Sequence, residues 1–235
     1  MTVNYKSKLI FYSVLFLITA SFLQITCCNP AYSKVTEKKA ASRIQQLSSN
    51  FRKAYLSIDC LRAEFYQETW TPGIEKPVTA EGTVWIKRPN LMRWQYDKPY
   101  HQLIVAGLRD VFIYEPAQKQ VMVIPRNRFL TSQITNAFFA GDQGLNHFFN
   151  VSLPENKKDR WSLILKPIHP EPQIKQIRIT LDPNSWLIKE IWIDDNMGEH
   201  THLVFKNIVK NPKINPDLFH FVPPKGVKVY NTPKD

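Results

Sequence analysis

Val78-Thr79-Ala80-Glu81-Gly82-Thr83-Val84-Trp85-Ile86-Lys87-Arg88-Pro89-Asn90-Leu91-Met92-Arg93-Trp94-Gln95-Tyr96 is the stretch on which the fold turns. Two β-branched and aromatic runs flank Arg88-Pro89-Asn90. In the second run Met92, Trp94 and Tyr96 share one side, and Arg93 and Gln95 take the other. That two-residue period marks a half-buried strand. Pro89 cannot donate to a strand ladder and closes the first run as a turn. The reading is an antiparallel hairpin.

Outward from this hairpin the period of two continues. Upstream, residues 61–70 alternate imperfectly and end at the turn Thr71-Pro72-Gly73. Downstream, residues 101–105, 111–114 and 120–124 extend an antiparallel meander, with Pro99, Gly107 and Pro116 in the connections. Residues 129–149 change character. Phe129, Leu130, Ile134, Phe138, Phe139, Leu145, Phe148 and Phe149 are spread around Gly141 and Gly144, which reads as two short helices or a helix and a loop. Strands resume at 161–166, 173–181, 187–194 and 202–207, and Asp182-Pro183-Asn184 turns the chain between two of them. Residues 217–224 form a short closing segment ending in two prolines.

Before the sheet, Ile44, Leu47, Phe51 and Tyr55 recur at spacings of three and four, the buried stripe of one amphipathic helix over residues 36–57. Thr36 is the candidate N-cap. The sum is mainly β (α+β): a helix, a long antiparallel sheet, a helical insertion and more strands. A sheet of this many strands curls, and helices then plug its concave side, where apolar ligands lodge.

The first 33 residues read as an export signal. Lys6 and Lys8 precede an apolar run from Leu9 to Ile25, and Ala31-Tyr32-Ser33 supplies the small residues of a cleavage site, so a single domain over residues 34–235 is expected. The rival readings are an uncleaved anchor or lipidation at Cys27 or Cys28. Thr26 and Gln24 before Cys27, and Cys27 and Ile25 before Cys28, fit a lipid-attachment pattern poorly. Cleavage leaves Cys60 alone, unable to form an internal disulfide.

The 235 residues carry a net charge of +11, a hydrophobic share of 43%, and 14 Phe, 9 Tyr and 6 Trp, which argues against disorder. Lys6 and Lys8 are the charged residues of the first 33, so the mature chain keeps +9. The basic residues are scattered and sit in no nucleic-acid motif. With an export signal they imply a solvated basic surface, or steering toward acidic partners or lipid headgroups. No nucleophile elbow, phosphate loop or zinc spacing is present. His200 and His202 would share a strand face, but two ligands do not make a zinc site. Asp194 and Asp195 read as turn residues. The sequence gives no catalytic motif and calls for no cofactor or metal.

The segment Gly82 to Trp94 resembles the most recognisable part of the periplasmic outer-membrane lipoprotein carriers, the LolA family. Ile113-Tyr114-Glu115-Pro116 with Gln120-Val121 is similar to that family's next hairpin, and Phe219-His220-Phe221-Val222-Pro223-Pro224-Lys225-Gly226-Val227 to its C-terminal segment. The resemblance spans residues 34–235. It implies an unclosed β-barrel with a helical lid. The implied function is a monomeric periplasmic chaperone that takes lipoprotein acyl chains from an inner-membrane ABC-type transporter and delivers them to an outer-membrane receptor. It further implies that Arg88 hydrogen-bonds lid backbone and holds the lid shut, and that Met92, often Phe in the family, handles the ligand. Trp85, Trp94, Phe112, Phe138, Phe139, Phe148, Phe149 and Trp192 form the pool of cavity or lid candidates. Core packing is the competing reading for each. Two rival functions stay open: a lipid-anchored receptor of the same fold, and an envelope enzyme or sugar-binding module.

Overall fold

The computed structural model describes residues 30–89, 91–126, 144–170 and 174–232. Among the described residues one α-helix, α1 (Pro30–Leu56), precedes twelve strands. In chain order these are β1 (Cys60–Trp70), β2 (Val78–Lys87), β3 (Leu91–Lys98), β4 (Gln102–Ala106), β5 (Asp110–Glu115), β6 (Gln120–Pro125), β7 (Phe149–Ser152), β8 (Ser162–Pro167), β9 (Gln176–Leu181), β10 (Ile188–Asp194), β11 (His200–Lys210) and β12 (Lys228–Asn231). They form one sheet in the order β12-β6-β5-β4-β3-β2-β1-β11-β10-β9-β8-β7. The outermost strands, β12 and β7, do not pair with each other, so the sheet is unclosed. β1 to β6 are a meander, β7 to β11 a second meander, and the β1–β11 pairing joins them.

Three sequence expectations change. The helix starts at Pro30 and not at Thr36, whose backbone lies within it. Proline is well suited to a first helical turn, and a candidate capping residue is only a local preference. Residues 145–149 are not helical insertion throughout: Leu145–His147 is a short 3₁₀ turn and Phe149 opens β7. The chain also continues past its proline pair into β12, which runs parallel to β6. Both missed strands have four residues. Elements so short carry too little alternation to be read locally, and pairing with β8 and β6 creates them. The rest of the expected helical insertion, with Phe138 and Phe139, lies outside the described residues.

Registered partners share a face, so the pairings sort every strand residue to one of two sides. On the inner face, α1 lays Leu47 and Phe51 against Ala63, Phe65, Val84, Leu163, Ile177, Ile179, Ile191 and Leu203. Leu47 is fully buried, and Ile44 and Tyr55 complete the stripe the sequence showed. On the outer face of β3 to β6 a second layer is laid by the C-terminal segment. Phe221 packs on Phe112 and Tyr114 at 5.4 and 5.5 Å, and Arg93 Nη1 donates to the Leu218 carbonyl at 3.2 Å.

The β9–β10 turn is built around one carboxylate. Asp182 Oδ1 accepts from the Asn184 and Ser185 amides and the Ser185 hydroxyl at 3.0, 2.7 and 2.9 Å. The Ser185 amide foremost holds its carboxyl below the ordinary carboxylate range. The ionised form is therefore favoured in the folded state. That stability is fully present above the unfolded value of about 3.9, and is lost as pH falls toward the depressed folded value. The stability gap between the parent and Asp182→Asn should therefore narrow on acidification below about pH 4. Thermal unfolding of both proteins along a pH series measures it.

Candidate inner-face site

α1 covers only part of the inner face. Its buried side chains pack with β1, β2 and β7 to β11. The inner side chains of β3 to β6 form a separate cluster of Met92, Ala106 and Val111, with Ile86, Trp94, Ile104 and Ile124 packed on it, and this cluster contains no α1 residue. Ile113 and Met122 continue the strip, being registered with Ile104 and with each other. Met122 is 44% exposed, and Ile104, Ile113 and Ile124 are only half-buried. The result is an apolar strip, several strands wide, beside the face that α1 fills.

Aromatic rings divide the two regions. Phe65 meets Trp94 and Tyr96 edge-on at 4.8 and 4.9 Å, and Trp94 lies 6.2 Å from Phe205. Trp94 belongs to both clusters. Its indole Nε1 donates to Met92 Sδ at 2.7 Å, so the one polar atom of the ring is satisfied within an apolar wall. The thioether is soft and mobile enough to reshape against a variable apolar guest.

At the other end of β2, Arg88 closes on the helix. Its Nη1 donates to the Tyr55 carbonyl in the last turn of α1 at 3.2 Å, and its amide donates to the Asp59 carbonyl at 2.9 Å. Last-turn carbonyls lack intrahelical donors and carry the negative end of the helix dipole, so a guanidinium suits them. The Tyr55 phenol is desolvated by burial and pushed well above its ordinary value, against a smaller opposing effect from a backbone hydrogen bond to Ile188. It stays neutral.

The structure places the other candidates apart. Met92 and Trp94 stand in the strip. Phe149 is fully buried and Phe148 partly buried under α1, where they serve as core. Trp85, Phe112 and Trp192 project from the outer face, which removes them from a shared cavity. Trp85 lies level with Arg62 and Arg93, Phe112 lies under Phe221, and Trp192 stacks on His202 at 3.9 Å and on Trp70 at 5.8 Å. Period-two parity decides this: Phe112 sits between inner-facing Val111 and Ile113. Conversely, Ile104, Ile113, Met122 and Ile124 were not singled out from sequence. Parity within each strand was readable, but which parity faces inward depends on register.

Two further features of the outer face are polar. A depression of about 400 Å³ around Gly82 and Phe65 is lined otherwise by Glu64, Tyr66, Glu81, Thr83, Asp97 and Lys206, a mostly charged and polar wall unsuited to an acyl chain. His200 Nδ1 lies 2.7 Å from Asp194 Oδ1, and His202 lies between Glu68 and Glu190 at 3.8 and 3.6 Å. Among the described residues no group of three or more His, Cys, Asp or Glu is placed to hold a metal.

The chain is similar to known proteins in sequence and in fold. Residues 57–222 match the family model described as outer membrane lipoprotein carrier protein LolA. An outer-membrane lipoprotein carrier protein of Nitrosomonas europaea is 30% identical over 189 residues, covering 80% of this chain and 89% of the relative. Its counterpart in Chromobacterium violaceum is 31% identical over 190 residues, covering 80% and 87%. An uncharacterised conserved protein of Thermus thermophilus shares the fold at TM-score 0.50 and 13% identity, over 80% of this chain and 98% of that one.

Proposed function

Because the chain belongs to the outer membrane lipoprotein carrier family LolA, we propose that it binds the acyl chains of lipoproteins on the strip of β3 to β6 and ferries them through the periplasm. In this reading residues 1–33 are the export signal and 34–235 the working domain. The chain receives its guest from a membrane transporter and yields it to an outer-membrane receptor. The protein is a carrier and not a catalyst. The observation that carries the proposal is the half-exposed apolar strip around Met92, Trp94, Ile104 and Ile124, next to a helix fastened by Arg88.

The physics asks for such a strip. Each buried methylene is worth about 0.8 kcal/mol, so an acyl chain of about 14 methylenes resists transfer to water by roughly 11 kcal/mol. A carrier has to offer comparable apolar surface and must also let go. A cover that competes with the guest does both: closed, it hides the lining; open, it yields the lining to the acyl chain.

Purification of the exported protein from an envelope fraction tests the reading directly, with a triacylated protein expected to co-purify. Mass spectrometry of its N-terminus separates soluble carrier from anchored receptor: Lys34 supports the former, a diacylated Cys the latter. Ile104→Asp places a carboxylate in the strip and should weaken retention of a palmitoylated lipoprotein at least about tenfold, since an unpaired charge against hydrocarbon is strongly disfavoured. A pull-down of that lipoprotein, with unfolding curves as control, reads the effect.

A further inference from the structure

We propose that Gln102, Glu115 and Gln120, a row of polar side chains at the open end of the apolar strip, bind the neutral ester and amide junction where acyl chains join a lipoprotein, and that Glu115 turns away acyl ligands ending in an anion. The inference rests on the acyl-carrier reading above and adds which part of the guest is recognised.

Strand register sets this row beside the strip. Trp94, Ile104, Ile113 and Met122 are successive partners across β3 to β6. Two residues further along each strand, on the same face, stand Tyr96, Gln102, Glu115 and Gln120. Tyr96 is registered with Gln102, and Glu115 with Gln120. Two residues span about 6.7 Å of strand, so the polar row is one side-chain step from the half-exposed middle of the strip. The strip also has a direction. Met92, Ala106 and Val111 are buried at one end, Ile104 and Ile113 are half-buried, and the polar row follows. Beyond that row come exposed connections, with Tyr100 77% exposed. An acyl chain whose tail takes the buried end therefore brings its polar junction to this row, and the attached peptide leaves toward solvent.

One carboxylate holds the row in place. Glu115 Oε1 accepts from Gln102 Nε2 at 3.2 Å, and Glu115 Oε2 accepts from Gln120 Nε2. Three strands therefore present their polar groups together. A glutamine amide carries two N–H donors and a carbonyl acceptor. Gln102 spends one N–H on Glu115, and its other N–H and its carbonyl have no partner among the described residues. Those groups suit an ester or an amide, whose polar atoms lose water beside an apolar site and cost free energy unless bonded again. The partners of Glu115 among the described residues are amides and no cation, so its charge is not cancelled locally. A fatty-acid carboxylate or a phosphate headgroup brought to the same place meets a like charge and is disfavoured. Cross-strand pairs of this kind also stabilise a sheet, and ligand selectivity is what separates the two roles.

Equilibrium binding of two matched ligands to the full exported chain tests this. N-palmitoylglycine amide ends in neutral amides, and N-palmitoylglycine differs only in ending in a carboxylate. The parent should hold the neutral ligand at least about tenfold more tightly. Glu115→Gln keeps a hydrogen-bonding row and removes the charge, so it should bring the two affinities within about twofold, chiefly by tightening the anionic ligand. Gln102→Leu should weaken the neutral ligand about fivefold, the loss of one hydrogen bond, and leave the binding of pyrene, an apolar probe with no polar junction, unchanged. Equal affinities in the parent, or a preference that survives Glu115→Gln, overturn the proposal and leave the carrier reading standing. Failure of the parent to bind either ligand or pyrene overturns the carrier reading and the proposal with it. Thermal unfolding of each variant is the control: lost stability with an unchanged ligand preference assigns the row a purely structural role and overturns the proposal.

Discussion

Arg88→Leu should accept lipoprotein as readily as the parent protein and give it up at least about tenfold more slowly. The bond it removes runs from Nη1 to the Tyr55 carbonyl at the end of α1. A hydrogen bond with one charged partner contributes about 1.5–3 kcal/mol, and each 1.4 kcal/mol is a factor of about ten in an equilibrium. The loss falls on the closed state alone, since an open helix makes no such bond. Weakening the competitor strengthens the guest, so loading survives and release suffers. Leucine keeps much of the apolar stem of Arg88, which limits the damage to the β2 end. The measurement is transfer of a radiolabelled lipoprotein from the loaded variant to outer-membrane vesicles over time. Transfer at the parental rate would show that Arg88 plays no part in the cover.

Gly82→Ala should destabilise the fold by about 3 kcal/mol or more, among the larger effects available to one methyl group. A Cβ at residue 82 would run into the carbonyl oxygen of Gln95 on β3, with the carbonyl carbon 2.9 Å away and Phe65 Cε1 at 3.0 Å. The obstruction is backbone, not the tip of a flexible side chain, so β2 and β3 would have to separate. The site is already irregular, because the β2–β3 register shifts between Glu81 and Gly82. Glycine is the residue that lets two strands approach so closely at a bulge. Phe65, Trp94 and Tyr96 lie over this point, so the disturbance should reach the strip as well. Urea unfolding followed by tryptophan fluorescence gives the change in midpoint. A variant as stable as the parent would mean the sheet yields locally at no cost.

Taken together, the two variants separate a fastening from a foundation. In the proposed carrier cycle Arg88 biases an equilibrium between two arrangements of an otherwise intact molecule. Gly82 is part of the sheet on which both arrangements rest.

The sequence by itself determined the strand and helix periods, the hairpin around Arg88-Pro89-Asn90 and the single amphipathic stripe Ile44, Leu47, Phe51, Tyr55. These follow from side-chain alternation within one element, which needs no knowledge of neighbours. The resemblance of the Gly82 to Trp94 segment named the family. Tertiary structure decided which alternating face looks inward. It sent Trp85, Phe112 and Trp192 outward and brought Ile104, Ile113, Met122 and Ile124 beside Met92. That outcome rests on register between strands distant in sequence, and a shift of one residue would exchange the two faces. The hydrogen bond from Arg43 on α1 to the Arg160 carbonyl spans 117 positions, and the parallel pairing of β12 with β6 is equally non-local. No local pattern encodes either one, because the energy that fixes each exists only after the sheet has curled and brought its partner near.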